Sequence, residues 1–211
     1  MAKTKPFDLF TERYELWFEK HRFTYLSEVN ALKKVFPRKG LFVEVGAGTG
    51  RFSKPLGIRY GVEPSLEMGK VALKRGIRIV RGIAENLPLK SSIFDAVLFV
   101  TTICFVDDIE KSFKEANRIL KETGSIFLGF IDKDSPLGRF YLEHKEQNPF
   151  YKEATFFSTK EVLEHLNKAG FKVEKILQTI FHLLPEVKEI ESVKEGFGEG
   201  SFVVIKAKKA H

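Results

Sequence analysis

Three alternating glycines and one carboxylate are the residues of this sequence best suited to chemistry. Gly46, Gly48 and Gly50 follow a short apolar run that ends at Val45. Only glycine lets the backbone turn this tightly and approach a ligand without a clash from Cβ. Glu63 lies 17 residues after Gly46, at the end of the next β-rich run, where a carboxylate can accept hydrogen bonds from both ribose hydroxyls. The pattern predicts a nucleoside site, and the alternative is a surface glutamate satisfied at a strand end.

Short β-rich runs alternate with helix signals in the part of the chain that carries these residues. The runs lie at 41–45, 58–63, 77–81, 94–100 and 125–130. Between them, Ser65 predicts a helix start, and Asp107 with Glu110 predicts a capping box for the helix before the fifth run. This alternation is typical of βαβ units, which form a parallel sheet.

The segments on either side of these units complete a seven-stranded prediction. Residues 1–39 carry apolar side chains at helical spacing and predict two helices. The segment 132–157 follows no strict period, so we interpret it as an insertion over one end of the sheet. Ser158 and Glu161 form a second capping box, and the runs 171–180 and 201–207 predict an antiparallel pair at the sheet edge. We expect one domain over 1–211, made of a helical cap (1–39), a core (40–131), the insertion (132–157) and a C-terminal helix with edge strands (158–211).

Composition and charge narrow the class of protein. A chain of 211 residues with 43% hydrophobic content can bury the core of one α/β domain. Its apolar runs are too short to cross a bilayer and its start lacks an apolar signal segment, so we expect a cytoplasmic protein. Cys104 is the only cysteine, which excludes an internal disulfide and a cysteine-rich metal site, and we expect no metal. The net charge of +7, concentrated partly in 70–81, indicates either solvated faces or a nucleic-acid patch, and we favour solvated faces.

Further motifs extend the glycine and glutamate pattern into a family resemblance over about residues 10–130. The segments are Glu44 before the glycines, 61–65 (Gly-Val-Glu-Pro-Ser), 81–88 (Arg-Gly-Ile-Ala-Glu-Asn-Leu-Pro), 92–97 (Ser-Ile-Phe-Asp-Ala-Val) and 115–121 (Glu-Ala-Asn-Arg-Ile-Leu-Lys). Together they resemble the class I S-adenosylmethionine-dependent methyltransferases, in detail the group called methyltransferase type 11. The resemblance implies a Rossmann-like three-layer α/β sandwich with a mostly parallel sheet of order 3-2-1-4-5-7-6, the seventh strand being antiparallel.

The resemblance also implies a cofactor and the residues that bind it. The cofactor is S-adenosylmethionine, and the implied binding residues are Glu44, Gly46, Ala47, Gly48, Gly50, Glu63, Pro64, Ala84, Glu85 and Thr101. The sequence departs from the family at Ile83, where an acidic residue is common, so adenine recognition is expected from Ala84 and Glu85. It also has Cys104 and Phe105 where relatives often carry paired histidines, so a mechanism based on those histidines is not expected.

Methyl transfer from a sulfonium mainly requires that donor and acceptor be aligned and water excluded. A general base is optional. If the acceptor is an amine that must lose a proton, the candidates near the expected mouth of the pocket are His21, Asp132, Glu143 and His144. In relatives, a segment like the one carrying Tyr14, Trp17 and Phe18 covers the cofactor. Here these rings would form an aromatic wall, and the competing explanation is that they only dock a helix onto the sheet.

Three classes of function are consistent with the implied cofactor site. We favour methyl transfer to a nitrogen or oxygen of a small molecule, because the N-terminal helices and the 132–157 insertion are suited to building a closed pocket. An RNA or protein methyltransferase is the alternative, although 101–104 lacks the Asp/Asn-Pro-Pro-aromatic motif that base-amino methyltransferases share. A non-catalytic nucleotide-binding protein is less favoured, and the G-x-G-x-G spacing counts against a nicotinamide oxidoreductase. The sequence does not indicate an oligomeric state.

Overall fold

The computed structural model describes residues 3–210, so Met1, Ala2 and His211 of the predicted domain lie outside the described residues. The strands are β1 Phe42–Val45, β2 Tyr60–Val62, β3 Arg78–Val80, β4 Phe94–Val100, β5 Leu120–Ile131, β6 Phe171–Thr179, β7 Lys194–Glu195 and β8 Phe202–Lys209. The helices are α1 Lys5–Leu9, α2 Thr11–Lys20, α3 Arg22–Lys33, α4 Leu66–Lys74, α5 Ile109–Ile119, α6 Pro136–Glu143 and α7 Thr159–Lys168, with short 3-10 helices at Lys145–Gln147 and Leu184–Glu186. Within 3–210, no helix has the length and apolar character needed to cross a membrane.

The strands form one sheet in the order β3-β2-β1-β4-β5-β8-β6-β7. Strands β1 to β5 pair in parallel, whereas β8 is antiparallel to both β5 and β6. The predicted order is confirmed, with β8 as the predicted seventh strand. The predicted count of seven is one short, because Lys194 and Glu195 form an additional two-residue edge strand against β6. A strand of two charged residues shows neither apolar alternation nor β-branched residues, so the sequence does not predict it.

Both faces of the sheet are buried, and this explains the nearly continuous apolar sequence of β4. Val97 and Phe99 point into one core cluster, which α5 and α7 cover. Leu98 and Val100 point into a second cluster, to which α3 and α6 contribute. The Rossmann-like sandwich of helix, sheet and helix layers is therefore confirmed.

The N-terminal region forms three helices instead of the predicted two. The apolar spacing runs without a break from Phe7 to His21, but the backbone leaves helical geometry at Phe10 and again at His21. Neither position is a glycine or proline, so the sequence carries no conventional signal for either break. Periodicity predicts the buried face here but does not predict where the helix axis turns.

Two of the three predicted helix starts are confirmed. Ser65 caps α4, and the capping box of Ser158 and Glu161 begins α7. The box predicted from Asp107 is wrong by one residue, because Asp108 is the N-cap of α5 and its Oδ1 accepts from the Lys111 backbone N–H at 2.9 Å. Adjacent aspartates give equivalent sequence signals, and only the backbone path selects between them.

The insertion 132–157 leaves the sheet and returns to it at neighbouring points. The backbone N–H of Lys133 donates to the carbonyl of Phe157 at 3.0 Å. The buried carboxylate of Asp132 accepts at Oδ2 from Thr159 Oγ1 at 2.5 Å and at Oδ1 from the Asp134 backbone at 2.9 Å. These bonds fix both ends of the insertion, and α6 lies between them.

Gly138 in α6 packs closely against the backbone of Asp132, where the insertion begins. A Cβ at Gly138 would lie 2.0 Å from the carbonyl oxygen of Asp132, a contact that only backbone movement can relieve. We expect Gly138→Ala to lower the free energy of unfolding by about 1–3 kcal/mol, measured by urea denaturation followed by circular dichroism. The matched control is Gly69→Ala in α4, whose Cβ would meet Ile79 at an ordinary 3.4 Å and should be neutral or stabilising. Equal effects of the two substitutions would contradict this packing.

Candidate active site

A cavity opens at the carboxyl ends of the first four strands. It is lined by the glycine loop after β1, by Glu63 and Pro64 after β2, by residues 82–85 after β3 and by Thr101 and Thr102 after β4. Strand β1 lies between β2 and β4 in the sheet. After β1 the strands are added on one side as β2 and β3, and the chain then crosses to the other side of β1 for β4 and β5. Such a switch point is where open parallel sheets bind ligands.

Glu63 is the buried carboxylate of this cavity. Its Oε2 accepts from the Gly48 backbone N–H at 2.7 Å and its Oε1 accepts from the Ser65 backbone N–H at 2.8 Å. Burial raises the pKa of Glu63 to about 7, against the lowering effect of the two backbone bonds. A carboxylate accepts about four hydrogen bonds, so each oxygen retains capacity for a ribose hydroxyl.

The glycine loop provides the close backbone approach that a nucleoside requires. At Gly46, with φ of +69°, a Cβ would lie 2.4 Å from the side chain of Thr102. At Gly48, with φ of +53°, a Cβ would enter the cavity 3.3 Å from the hydroxyl of Tyr14. Both positions therefore exclude a side chain, and the loop fits the cofactor that the sequence implies.

Seven of the ten expected cofactor residues line the cavity: Gly46, Gly48, Glu63, Pro64, Ala84, Glu85 and Thr101. The other three lie behind it. Glu44 is buried, accepts a short hydrogen bond from Ser53 Oγ and has its pKa raised to about 8, mainly by burial. Ala47 packs toward β2 at Gly61, and Gly50 packs toward Ile77 and α4. These three support the loop without facing the cavity.

Some cavity residues were missed by the sequence analysis. Met68 projects from the first turn of α4, and Asp107 follows the loop after β4. Glu85 lies on the same wall, and its Oε1 accepts from the backbone N–H of Asp107 at 2.6 Å. The sequence analysis predicted Asp107 as the helix cap and therefore did not predict that it lines the cavity beside Glu85.

A second cavity of about 270 Å³ adjoins the first. Phe7, Tyr14, Thr101 and Phe105 line both cavities and form the junction between them. Of the expected cap residues, Tyr14 thus lies at the junction, whereas Trp17 and Phe18 line the second cavity only. The insertion supplies the facing wall through Tyr141, Phe150 and Tyr151.

Ion pairs attach helix α2 to the glycine loop. The Glu15 carboxylate pairs with Arg51 at 2.7 Å and with Arg75, and Arg75 also donates to the carbonyl of Thr49 at 2.7 Å. Burial disfavours ionisation of Glu15, but the hydrogen bonds from the two arginines outweigh it and lower its pKa. The cap is therefore connected directly to the loop that forms the first cavity.

The four candidate bases do not line either cavity. His21 lies at the break between α2 and α3, with its ring 5.1 Å from that of Trp17. His144 and Glu143 are exposed at the end of α6, and His144 Nδ1 contacts the carbonyl of Phe140 at 2.9 Å. Asp132 is buried and bonded to the start of α7. The proposal of a general base at any of these positions gains no support from their placement.

Glu28 is the acidic residue that the structure brings to the second cavity instead. It lies on α3, is only 3% exposed and has its pKa raised to about 8 by burial. The signal was present in the sequence, because Thr24, Glu28, Ala31 and Leu32 share one helical face and all four are buried. Acidic residues are rarely fully buried, so a glutamate on the apolar face of a helix can be recognised as unusual from the sequence.

Comparisons with known proteins agree with this geometry. The model of a methyltransferase domain matches residues 43–128. A solved S-adenosylmethionine-dependent methyltransferase from Thermotoga maritima, described as a "possible histamine N-methyltransferase", is 53% identical, with a TM-score of 0.95 over 98% of this chain and 99% of its own. The chain belongs to the S-adenosylmethionine-dependent methyltransferases. The cofactor of this methyltransferase is therefore S-adenosylmethionine.

Two further relatives widen the comparison for the methyltransferase. An uncharacterised protein of Methanocaldococcus jannaschii is 47% identical and covers 96% of this chain and 98% of its own. A chloroplastic 2-methyl-6-phytyl-1,4-hydroquinone methyltransferase of Oryza sativa is 31% identical over 67% of this chain and 42% of its own. The first similarity extends over the cap and the insertion as well as the core.

Replacing Glu63 tests whether this carboxylate binds the ribose. We expect Glu63→Ala to weaken the binding of S-adenosylmethionine by about 1.5–3 kcal/mol, as for the loss of a charged hydrogen-bond partner. Isothermal titration calorimetry measures the effect. Glu67→Ala is the control, because Glu67 lies one turn away, pairs with Lys70 and does not line the cavity. Wild-type affinity in a folded Glu63→Ala variant would place the ribose elsewhere.

Replacing Glu28 tests its burial through the pH dependence of stability. The pKa of Glu28 is about 8 in the folded protein and 4.5 ordinarily, so the folded state holds an extra proton between these values. The stability that this group contributes is complete below pH 4.5 and is lost as the pH rises through 8. We expect Glu28→Gln to raise the free energy of unfolding above pH 8 by on the order of 1 kcal/mol or more, with little difference near pH 4.5. A pH-independent difference, or an equal effect of Glu153→Gln at an exposed site, would count against this burial.

Proposed function

We propose that this methyltransferase transfers a methyl group from S-adenosylmethionine to a nitrogen or oxygen of a small molecule held in the second cavity. The observation that carries the proposal is the enclosure of that cavity by the cap and the insertion, directly beside the cofactor cavity. Its volume of about 270 Å³ is close to the lower end of small-molecule sites, roughly 300–1,000 Å³. In this proposal, 40–131 is the cofactor-binding core, 1–39 is the cap and 132–157 is the cover of the acceptor site.

The residues of the chain have simple roles in this reaction. Bound S-adenosylmethionine supplies a methyl group on a positively charged sulfur. The glycine loop and Glu63 orient the nucleoside, while Tyr14 at the junction presents a ring whose face attracts positive charge. The cap and the insertion exclude water and hold the acceptor in line with the methyl group. This alignment requires no general base when the acceptor arrives with a free lone pair.

The relatives support a small acceptor. The description of the Thermotoga maritima protein, which is 53% identical to this chain, names an amine, histamine, as its possible acceptor. The name of the Oryza sativa protein gives a hydroquinone as its acceptor. Both acceptors are small organic molecules. A cytoplasmic location is part of the proposal and is supported by the single cysteine.

The alternative, an RNA or protein acceptor, draws its support from the basic stretch 70–81. Several of these cations are already engaged within the fold. Lys70 pairs with Glu67 at 2.7 Å, Arg75 pairs with Glu15, and Arg78 lies 5.8 Å from the ring centre of Tyr60. These contacts favour the interpretation of the stretch as a structural surface.

A labelling experiment distinguishes the acceptor classes. The protein is incubated with methyl-labelled S-adenosylmethionine and an extract separated into small-molecule, RNA and protein fractions. We expect label in the small-molecule fraction, because a cavity of about 270 Å³ between the cap and the insertion has the size for a small acceptor. Glu63→Ala is the matched control and should reduce the labelling at limiting cofactor. Label that appears only in RNA or protein would refute the proposed acceptor class.

A further inference from the structure

The second cavity contains a carboxyl group, that of Glu28, for which the part of the chain described by the structure supplies no hydrogen-bond or ion-pair partner. Among the described residues that line it, Glu28 is the only acidic one, and its side chain is almost completely buried. Burial is the sole cause of its raised pKa, with no hydrogen bond or opposite charge from the described residues to offset it. A buried carboxyl group in this state lowers stability, so its position calls for a functional explanation.

Aromatic rings line the same cavity as the Glu28 carboxyl group. Tyr14 on α2, Tyr141 on α6 and Tyr151 in the insertion all line the cavity and interact electrostatically with Glu28. Burial raises the pKa of all three phenols above 10, so they remain neutral near pH 8. Aromatic rings and a carboxylate that line one cavity are a combination suited to binding an organic cation. The cation lining the cavity is Arg13, whose side chain belongs to an exposed residue of α2.

The position of Glu28 separates binding from methyl transfer. Tyr14 and Thr101 line both cavities, whereas Glu28 lines the second cavity only. The part of an acceptor that contacts Glu28 therefore lies in the second cavity, outside the cofactor cavity. This placement suits a residue that binds the acceptor.

We propose that the carboxylate of Glu28 binds a positively charged nitrogen of the acceptor, separate from the atom that receives the methyl group. The substrates are then small amines, bound as ammonium ions by Glu28 and the aromatic walls. This inference rests on the proposed function, which assigns the second cavity to the acceptor. It adds the chemical class of the substrate and the residue that selects it.

The proposal has a consequence for the pH dependence of binding. Glu28 must lose its proton to pair with an ammonium ion, so affinity for an amine should rise as the pH increases toward 8. It should fall again when the amine itself loses its proton, near pH 10 for an alkylamine. The pKa of Tyr25 is raised mainly by burial and also by Glu28, while Glu63 in the first cavity and Glu44 behind it have pKa values of about 7 and 8. A neutral probe of the same shape controls for these groups.

Two probes that differ in one group test the proposal. 2-Phenylethylamine carries an ammonium group where 2-phenylethanol carries a hydroxyl. Trp17 lines the cavity and is the only tryptophan, so its emission reports the binding of either probe to the protein saturated with S-adenosylhomocysteine. At pH 8.5 we expect the amine to bind at least about tenfold more tightly than the alcohol, and Glu28→Gln to reduce this preference to about twofold or less. Between pH 8.5 and 6.5 the amine should lose about tenfold or more in affinity, and the alcohol should not.

The outcomes separate this inference from the proposed function. Glu153→Gln, at an exposed site of the insertion, should retain the full preference for the amine. Equal binding of the two probes, a preference that survives Glu28→Gln, or no binding of the amine at millimolar concentration would overturn the inference. Loss of S-adenosylhomocysteine binding in Glu28→Gln, measured by calorimetry, would also overturn it, since Glu28 would then serve the fold. None of these results refutes a small-molecule acceptor, which the labelling of fractions decides separately.

Discussion

The buried carboxylate of Glu63 joins the parts of the molecule that meet at the carboxyl ends of the parallel strands. It accepts backbone hydrogen bonds from Gly48 and Ser65, so it links the glycine loop to the start of α4. Ser65 in turn donates its hydroxyl to Asp8 of α1 at 2.6 Å. These bonds connect loop, helix and cap, and those that Glu63 accepts are stronger when its carboxyl group is ionised.

The cap serves packing and enclosure at the same time. Phe18 is 5% exposed and belongs to the same core cluster as Phe52, whereas Tyr14 lies at the junction of the two cavities. The two interpretations of the N-terminal aromatic residues are therefore compatible. The ion pairs of Glu15 with Arg51 and Arg75 hold α2 where both roles are met. Such pairs are partly buried, which reduces their screening by salt.

The core could be predicted because its constraints are local in sequence. A buried strand runs directly into the glycine turn, the acidic strand end at Glu63 follows on the next strand, and each needs particular residue types. The candidate bases depended on an expected position near the mouth of the pocket, which the sequence does not determine, and in the structure Asp132 anchors the insertion. The burial of Glu28 has a local signal on the face of α3, but the cavity that it lines is completed by Tyr141 and Tyr151, more than 100 residues away in the sequence. Residue identity predicts chemistry well only where neighbours along the chain are also neighbours in space.

The closed base of the insertion has a consequence for how this protein can change over evolution. Its two ends meet through the Lys133 to Phe157 backbone bond, and Asp132 joins its start to α7. Substitutions, deletions or added turns between these ends would leave the strand register undisturbed, since β5 and α7 keep their positions. The wall that the insertion supplies to the second cavity can therefore diverge among descendants of one ancestral gene while the strands and the glycine loop stay constant.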